Sequence, residues 1–152
     1  MGVTSGAKGR AIAATTAVVL VLEAIGIAFL NWFLGLVVDK QGMSLAGLDP
    51  HAMTVGAWAA GALFALYLLF CAFALARTAW RDRPPGIFLR IVLITCAVAH
   101  ALLGAFAVGL VGWLAFALMM VVLGLIVLSL VLYGREPDES EKHAPSGDPH
   151  PA

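Results

Sequence analysis

Four long apolar stretches, separated by short polar or glycine-rich connections, take up most of the chain. They cover residues 11–38, 52–76, 87–108 and 113–133. A helix needs roughly 20 apolar residues to cross a bilayer core of about 30 Å, and each stretch meets that length. The pattern therefore predicts an all-α, polytopic membrane protein. Four transmembrane helices form an antiparallel bundle over 11–133, after a short N-terminal segment 1–10 and before a tail 134–152. The first stretch is longer than the core requires, which predicts tilt or projection beyond it. It is also much longer than the apolar region of a signal peptide, about 7–15 residues. Lys8 and Arg10 therefore read as the flank of a retained first helix.

The connections carry their own signals. Residues 39–54 hold Asp39, Lys40, Gly42, Gly47, Asp49, Pro50 and His51. Asp49 suits a helix cap, and Pro50 suits a first helical position. The block RTAWRDRPPG at 77–86 contains Pro84 and Pro85, which forbid a continuous helix. Only GLVG, 109–112, separates the third stretch from the fourth. One helix over 87–133 would be about 70 Å long, more than twice the core thickness, so a tight glycine hairpin is expected. The tail reads GREPDESEKHAPSGDPHPA, with four prolines and five acidic residues. It lacks the apolar surface that would offset its ordering entropy, so disorder is expected there. A solubilising end is the plain role for such a tail, and partner binding is the alternative.

Composition agrees with the pattern. The chain is 62% hydrophobic and 12% charged, against about 25% charged in soluble domains. Its formal net charge is zero and no basic run appears, so nothing points to nucleic acid. The nine Lys and Arg residues are unevenly placed. Lys8, Arg10, Arg77, Arg81, Arg83, Arg90, Arg135 and Lys142 share one side if four helices cross, and Lys40 stands alone on the other. This asymmetry places both termini in the cytoplasm of a multi-pass cell-membrane protein. Arg77, Arg81, Arg83 and Arg90, with Trp80, form a basic edge. It is a candidate lipid-headgroup site or a topology anchor.

Glu23 is the one acidic residue inside any apolar stretch. It lies thirteen residues past Arg10, roughly 20 Å along the helix. A carboxylate at that depth must be protonated, paired or wet. His100 and Tyr67 sit at similar depth and complete a candidate intramembrane polar site: Glu23, His100 and Tyr67. Such a group either binds a proton or ligand, or ties helices together by hydrogen bonds. Thr16, Glu23 and Gly26 or Ile27 share a helical stripe, with Asn31 farther along. A small residue beside the acid would let another backbone approach. Ala57, Gly61 and Ala65, and likewise Ala97, Ala101, Ala105 and Gly109, repeat every four residues and read as packing faces. Cys71 and Cys96 fall at matched depth on the second and third helices. They read as small apolar packing residues, with a redox pair as the alternative. No catalytic constellation, metal-ligand spacing or cofactor motif appears.

The segments VVDKQGMSLAGLDPHAM (37–53), RDRPPGIFLRI (81–91) and VGLVGWLAF (108–116) resemble a group of small four-helix membrane proteins of actinobacteria. The resemblance covers nearly the whole chain before the tail, and implies a fold and a location rather than a mechanism. EAIG at 23–26 is similar to the first-helix E-x-x-G of small multidrug-resistance transporters, whose acid exchanges protons for cationic drugs across a dimer. That resemblance implies Glu23 as a coupling carboxylate. The long first connection, the RDRPPG loop and the acidic tail depart from that family.

Together these features predict a non-enzymatic scaffold or accessory subunit, embedded in lipid and partnered by a second copy or another membrane protein. A small proton-coupled transporter using Glu23 is the alternative. Reporter fusions at the tail and within 39–54 check the topology. The tail is expected to report cytoplasmic and the connection external. An externally reactive tail contradicts the four-crossing arrangement.

Overall fold

The computed structural model describes residues 3–42, 47, 49–81 and 85–134. They form four helices: α1 (Val3–Gln41), α2 (Pro50–Arg81), α3 (Ile87–Leu110) and α4 (Trp113–Gly134). All four are long and apolar enough to cross a membrane. No strand occurs among the described residues. Residues 135–152, where disorder was expected, and Arg83 lie outside the described residues.

Large apolar side chains cover the outside. Leu22, Phe73 and Phe106 are each more than 60% exposed. Water would penalise such a surface heavily, whereas lipid tails match it. All four tryptophans lie toward helix ends: Trp80 at the end carrying Arg10 and Arg77, and Trp32, Trp58 and Trp113 toward the other. Amphipathic rings favour those levels in a bilayer. The interior is built mostly from small residues, including Ala13, Ala24, Cys71 and Cys96, filled out by Leu20, Leu68, Leu93 and Ile126.

Two helices exceed the bounds read from the apolar pattern. α1 begins at Val3 rather than 11, and α2 continues to Arg81 rather than 76. Packing explains both extensions. Gly9 is buried, and its Cα faces the Tyr133 ring of α4. Thr78 and Ala79 are buried as well. Polar residues on one side of a turn do not stop a helix whose other side is covered. Helix ends follow local chemistry. Gly42 leaves α1 with φ +56°, the left-handed conformation that suits glycine. α2 starts at Pro50, and the Met53 N–H donates to the Asp49 carbonyl at 3.1 Å. The expected Asp49/Pro50 turn is thus the first turn of α2. Between α3 and α4, the N–H groups of Val111 and Gly112 both donate to the Ala107 carbonyl, at 2.9 and 2.8 Å. Gly112 takes φ +120°, so glycine is required there, while Gly109 stays inside α3.

Neighbouring helices are antiparallel. α1 packs along its length on α2, α3 packs on α4, and α1 also meets α4; the α2 and α3 backbones approach least. α1 and α3 are diagonal partners, as are α2 and α4. Close approach depends on three glycines. Gly61 lies against Asn31, Gly35 against the Trp58 indole, and Gly104 against Met120 and Met119. Gly61 and Ala65 thus serve as the packing face expected of α2. The face expected of α3 is different. Ala97 is buried, but Ala101, Ala105 and Gly109 are exposed. α3 buries Leu93, Cys96, Ala97, His100 and Gly104 instead, because that stripe carries the imidazole inward. Gly26 is also exposed, with nothing near its Cα; the close backbone approach on α1 comes at Gly35.

Gly61→Ala is expected to destabilise the bundle by about 1–3 kcal/mol, since the new methyl overlaps Asn31. Gly56 faces open space, so Gly56→Ala is expected to be neutral or slightly stabilising. Unfolding titrations in micelles compare the two. Equal effects contradict the α1–α2 seam described here.

Candidate functional site

α1 places Glu23 on its inward face, next to the buried Ala24 and one turn from Leu20. α3 places His100 at the centre of its buried stripe. The two helices are diagonal, so their backbones do not meet. Two long side chains bridge the gap instead. His100 Nε2 lies 2.9 Å from Glu23 Oε2. His100 is fully buried, and the Glu23 side chain is 9% exposed.

The other ring nitrogen decides the proton inventory. His100 Nδ1 lies 2.7 Å from the Cys96 carbonyl oxygen. A carbonyl only accepts, so Nδ1 carries a hydrogen and donates it. The Cys96 Sγ, 3.7 Å from Nδ1, is a secondary contact. Nε2 and Oε2 must then share one further proton. It rests either on the imidazole, giving an ion pair, or on the carboxyl, giving two neutral groups. In both forms the pair is neutral as a whole, which is what a low-dielectric interior tolerates. Glu23 Oε1 has no hydrogen-bond partner among the described residues.

Tyr67, expected near these two, is directed elsewhere. Its hydroxyl donates to the Val92 carbonyl at 2.9 Å and so ties α2 to α3, the pair with the least backbone contact. Cys71 sits beside Tyr67 and Cys96. Both cysteines are buried free thiols within the core. Arg77, Arg81 and Arg90 are exposed. Among the described residues no group of three or more His, Cys, Asp or Glu side chains is arranged to hold a metal ion.

A second polar link escaped the reading from sequence. Thr16 Oγ1 lies 3.1 Å from Ser129 Oγ, joining α1 to α4. One hydroxyl donates across the seam while the other donates to a carbonyl of its own helix, Thr16 to Ile12 at 2.7 Å or Ser129 to Leu125 at 2.8 Å. Ser129 is the one small hydroxyl residue in 113–133, and that isolation was the available signal. A third link joins α2 to α1 near the opposite end. Thr54 donates to the Gly35 or Pro50 carbonyl, at 3.3 or 3.0 Å, and Trp58 Nε1 donates to the Trp32 carbonyl at 3.1 Å.

Comparison with protein-family models, curated proteins and solved structures finds no significant match.

The chemistry open to the site therefore follows from its own geometry. One carboxyl and one imidazole share a proton in the bundle interior. The pair can hold helices together and can store a proton. Two apolar clefts open on the α1–α2 surface, and neither is lined by Glu23 or His100.

Proposed function

We propose that this chain is a non-enzymatic membrane scaffold or accessory subunit, with Glu23 and His100 as a fixed internal lock. The observation that carries this reading is the direction of the acid. Glu23 points at a fully buried imidazole on the diagonal helix and lines neither of the two clefts on the α1–α2 surface. A carboxyl that loads and releases ions needs a wet path; a carboxyl that fastens helices needs only a partner. Both termini face the cytoplasm on the proposed topology, following the Lys and Arg asymmetry. The outer apolar surface meets lipid and leaves room for a second copy or another membrane protein.

Proton-coupled transport is the second reading, favoured by one feature. Glu23 Oε1 lacks a hydrogen-bond partner among the described residues, and the pair already shares a proton. A conformation that opened the bundle would expose both groups together.

Glu23→Gln separates the two readings. The Gln amide donates to His100 Nε2 while Nδ1 keeps its bond to Cys96, but the pair no longer has a transferable proton. A lock should tolerate the change, with a stability loss on the order of 1 kcal/mol. The assay is proton-driven uptake of an aromatic cation into vesicles carrying wild type or Glu23→Gln. No wild-type uptake above empty vesicles is expected. Wild-type uptake that vanishes in the variant overturns the scaffold reading and establishes the carrier.

A further inference from the structure

The outer surface of α1 and α2 is not evenly convex. A cleft of about 540 Å³ opens between them at the end carrying Arg10 and Trp80. A second, of about 450 Å³, lies farther along the same pair of helices. They share Ala17, Val18 and Ala76, so they form one continuous trough. Its concavity comes from alanine: Ala7, Ala11, Ala14 and Ala17 recur on α1, and Ala72, Ala76 and Ala79 face them from α2. Bulkier residues, Leu22, Leu69 and Phe73, line its inner half.

The trough has a direction. Arg10 lines one end together with Trp80, which is 86% exposed. From there inward every lining residue is apolar. The cation has no counter-charge among the described residues. Glu23 is engaged with His100 in the bundle interior, and Asp39 and Asp49 lie at the opposite end of the bundle. On α1 the lining spans Ala7 to Leu22, roughly 22 Å of helix. Half of a 30 Å hydrocarbon core is about 15 Å, so the trough covers one leaflet together with its headgroup level.

We propose that this trough is a binding site for one anionic phospholipid, with an acyl chain lying on the alanine floor and the phosphate on Arg10. A helix from a second copy is the competing occupant. It would be apolar across both leaflets, whereas the trough is charged at one end and stops near mid-bundle. An amphiphile matches that polarity and that length. Arg10 supplies charge-assisted hydrogen bonds to phosphate, and Trp80 suits the interfacial level beside it. The site is distinct from the Glu23/His100 lock and stands or falls without it.

The test is native mass spectrometry of the full chain released from micelles, with phosphatidylglycerol or phosphatidylcholine of the same acyl chains. Wild type is expected to retain one phosphatidylglycerol in preference to phosphatidylcholine. Arg10→Gln is expected to lose about fivefold in phosphatidylglycerol retention and with it the preference. Ala14 is exposed on the trough, so Ala14→Leu fills the floor without entering the core. It is expected to reduce retention of both lipids, with helix content by circular dichroism unchanged. Two results overturn the proposal. One is equal retention by wild type and both variants. The other is a dimer that persists in delipidated micelles and is abolished by Ala14→Leu, which assigns the trough to a second copy.

Discussion

A single carboxyl group in an apolar interior constrains everything around it. Glu23 sits about thirteen residues from the nearest charge on its own helix, too deep for its side chain to reach an interface. It must therefore find its partner inside the bundle. That partner is His100 on the diagonal helix, at 2.9 Å. The contact requires α1 and α3 to present these residues toward a common centre, and it requires the imidazole to be held upright. The Cys96 carbonyl does the second job by accepting the Nδ1 hydrogen. This donor assignment leaves one proton for Nε2 and Oε2 together, so the pair brings no net charge into the bundle.

The packing around the pair follows from that geometry. A diagonal bridge is possible only if the flanking side chains are small, and Ala24, Cys96 and Ala97 provide the room. Adjacent helices are then joined by local polar links: Thr16 with Ser129 between α1 and α4, Tyr67 with Val92 between α2 and α3, and Thr54 and Trp58 with the outer part of α1. In lipid the hydrophobic effect does not draw helices together, so close packing and such hydrogen bonds carry the association. Gly35, Gly61 and Gly104 supply the close packing.

The helices themselves were legible because bilayer thickness imposes a length that an apolar stretch announces. Their ends were less so. The segment before residue 11 looks like a polar lead-in, yet Gly9 packs beside Tyr133 and the helix runs through it. No local pattern encodes a contact with the far end of α4. The depths of Glu23 and His100 were readable by counting from Arg10 and Arg90, but their facing depends on rotation about two helix axes. Rotation also explains why Tyr67, at a matched depth, bonds to a backbone carbonyl rather than to the acid. The alanine repeat at 97–109 marks one stripe of α3, and spacing alone leaves that stripe free to face the bundle or the lipid. The imidazole decides between them, because a buried His100 turns Ala101 and Ala105 outward.

The claim that one internal pair fastens the diagonal of the bundle is open to a double-mutant cycle. Glu23→Ala and His100→Ala each strand a buried polar partner, whereas the double variant removes both. Stability in micelles should therefore show a coupling of roughly 1–3 kcal/mol, with the double variant less damaged than the sum of the singles. Additivity to within about 0.5 kcal/mol would mean that the two side chains lie close together without holding the helices, and would contradict the account.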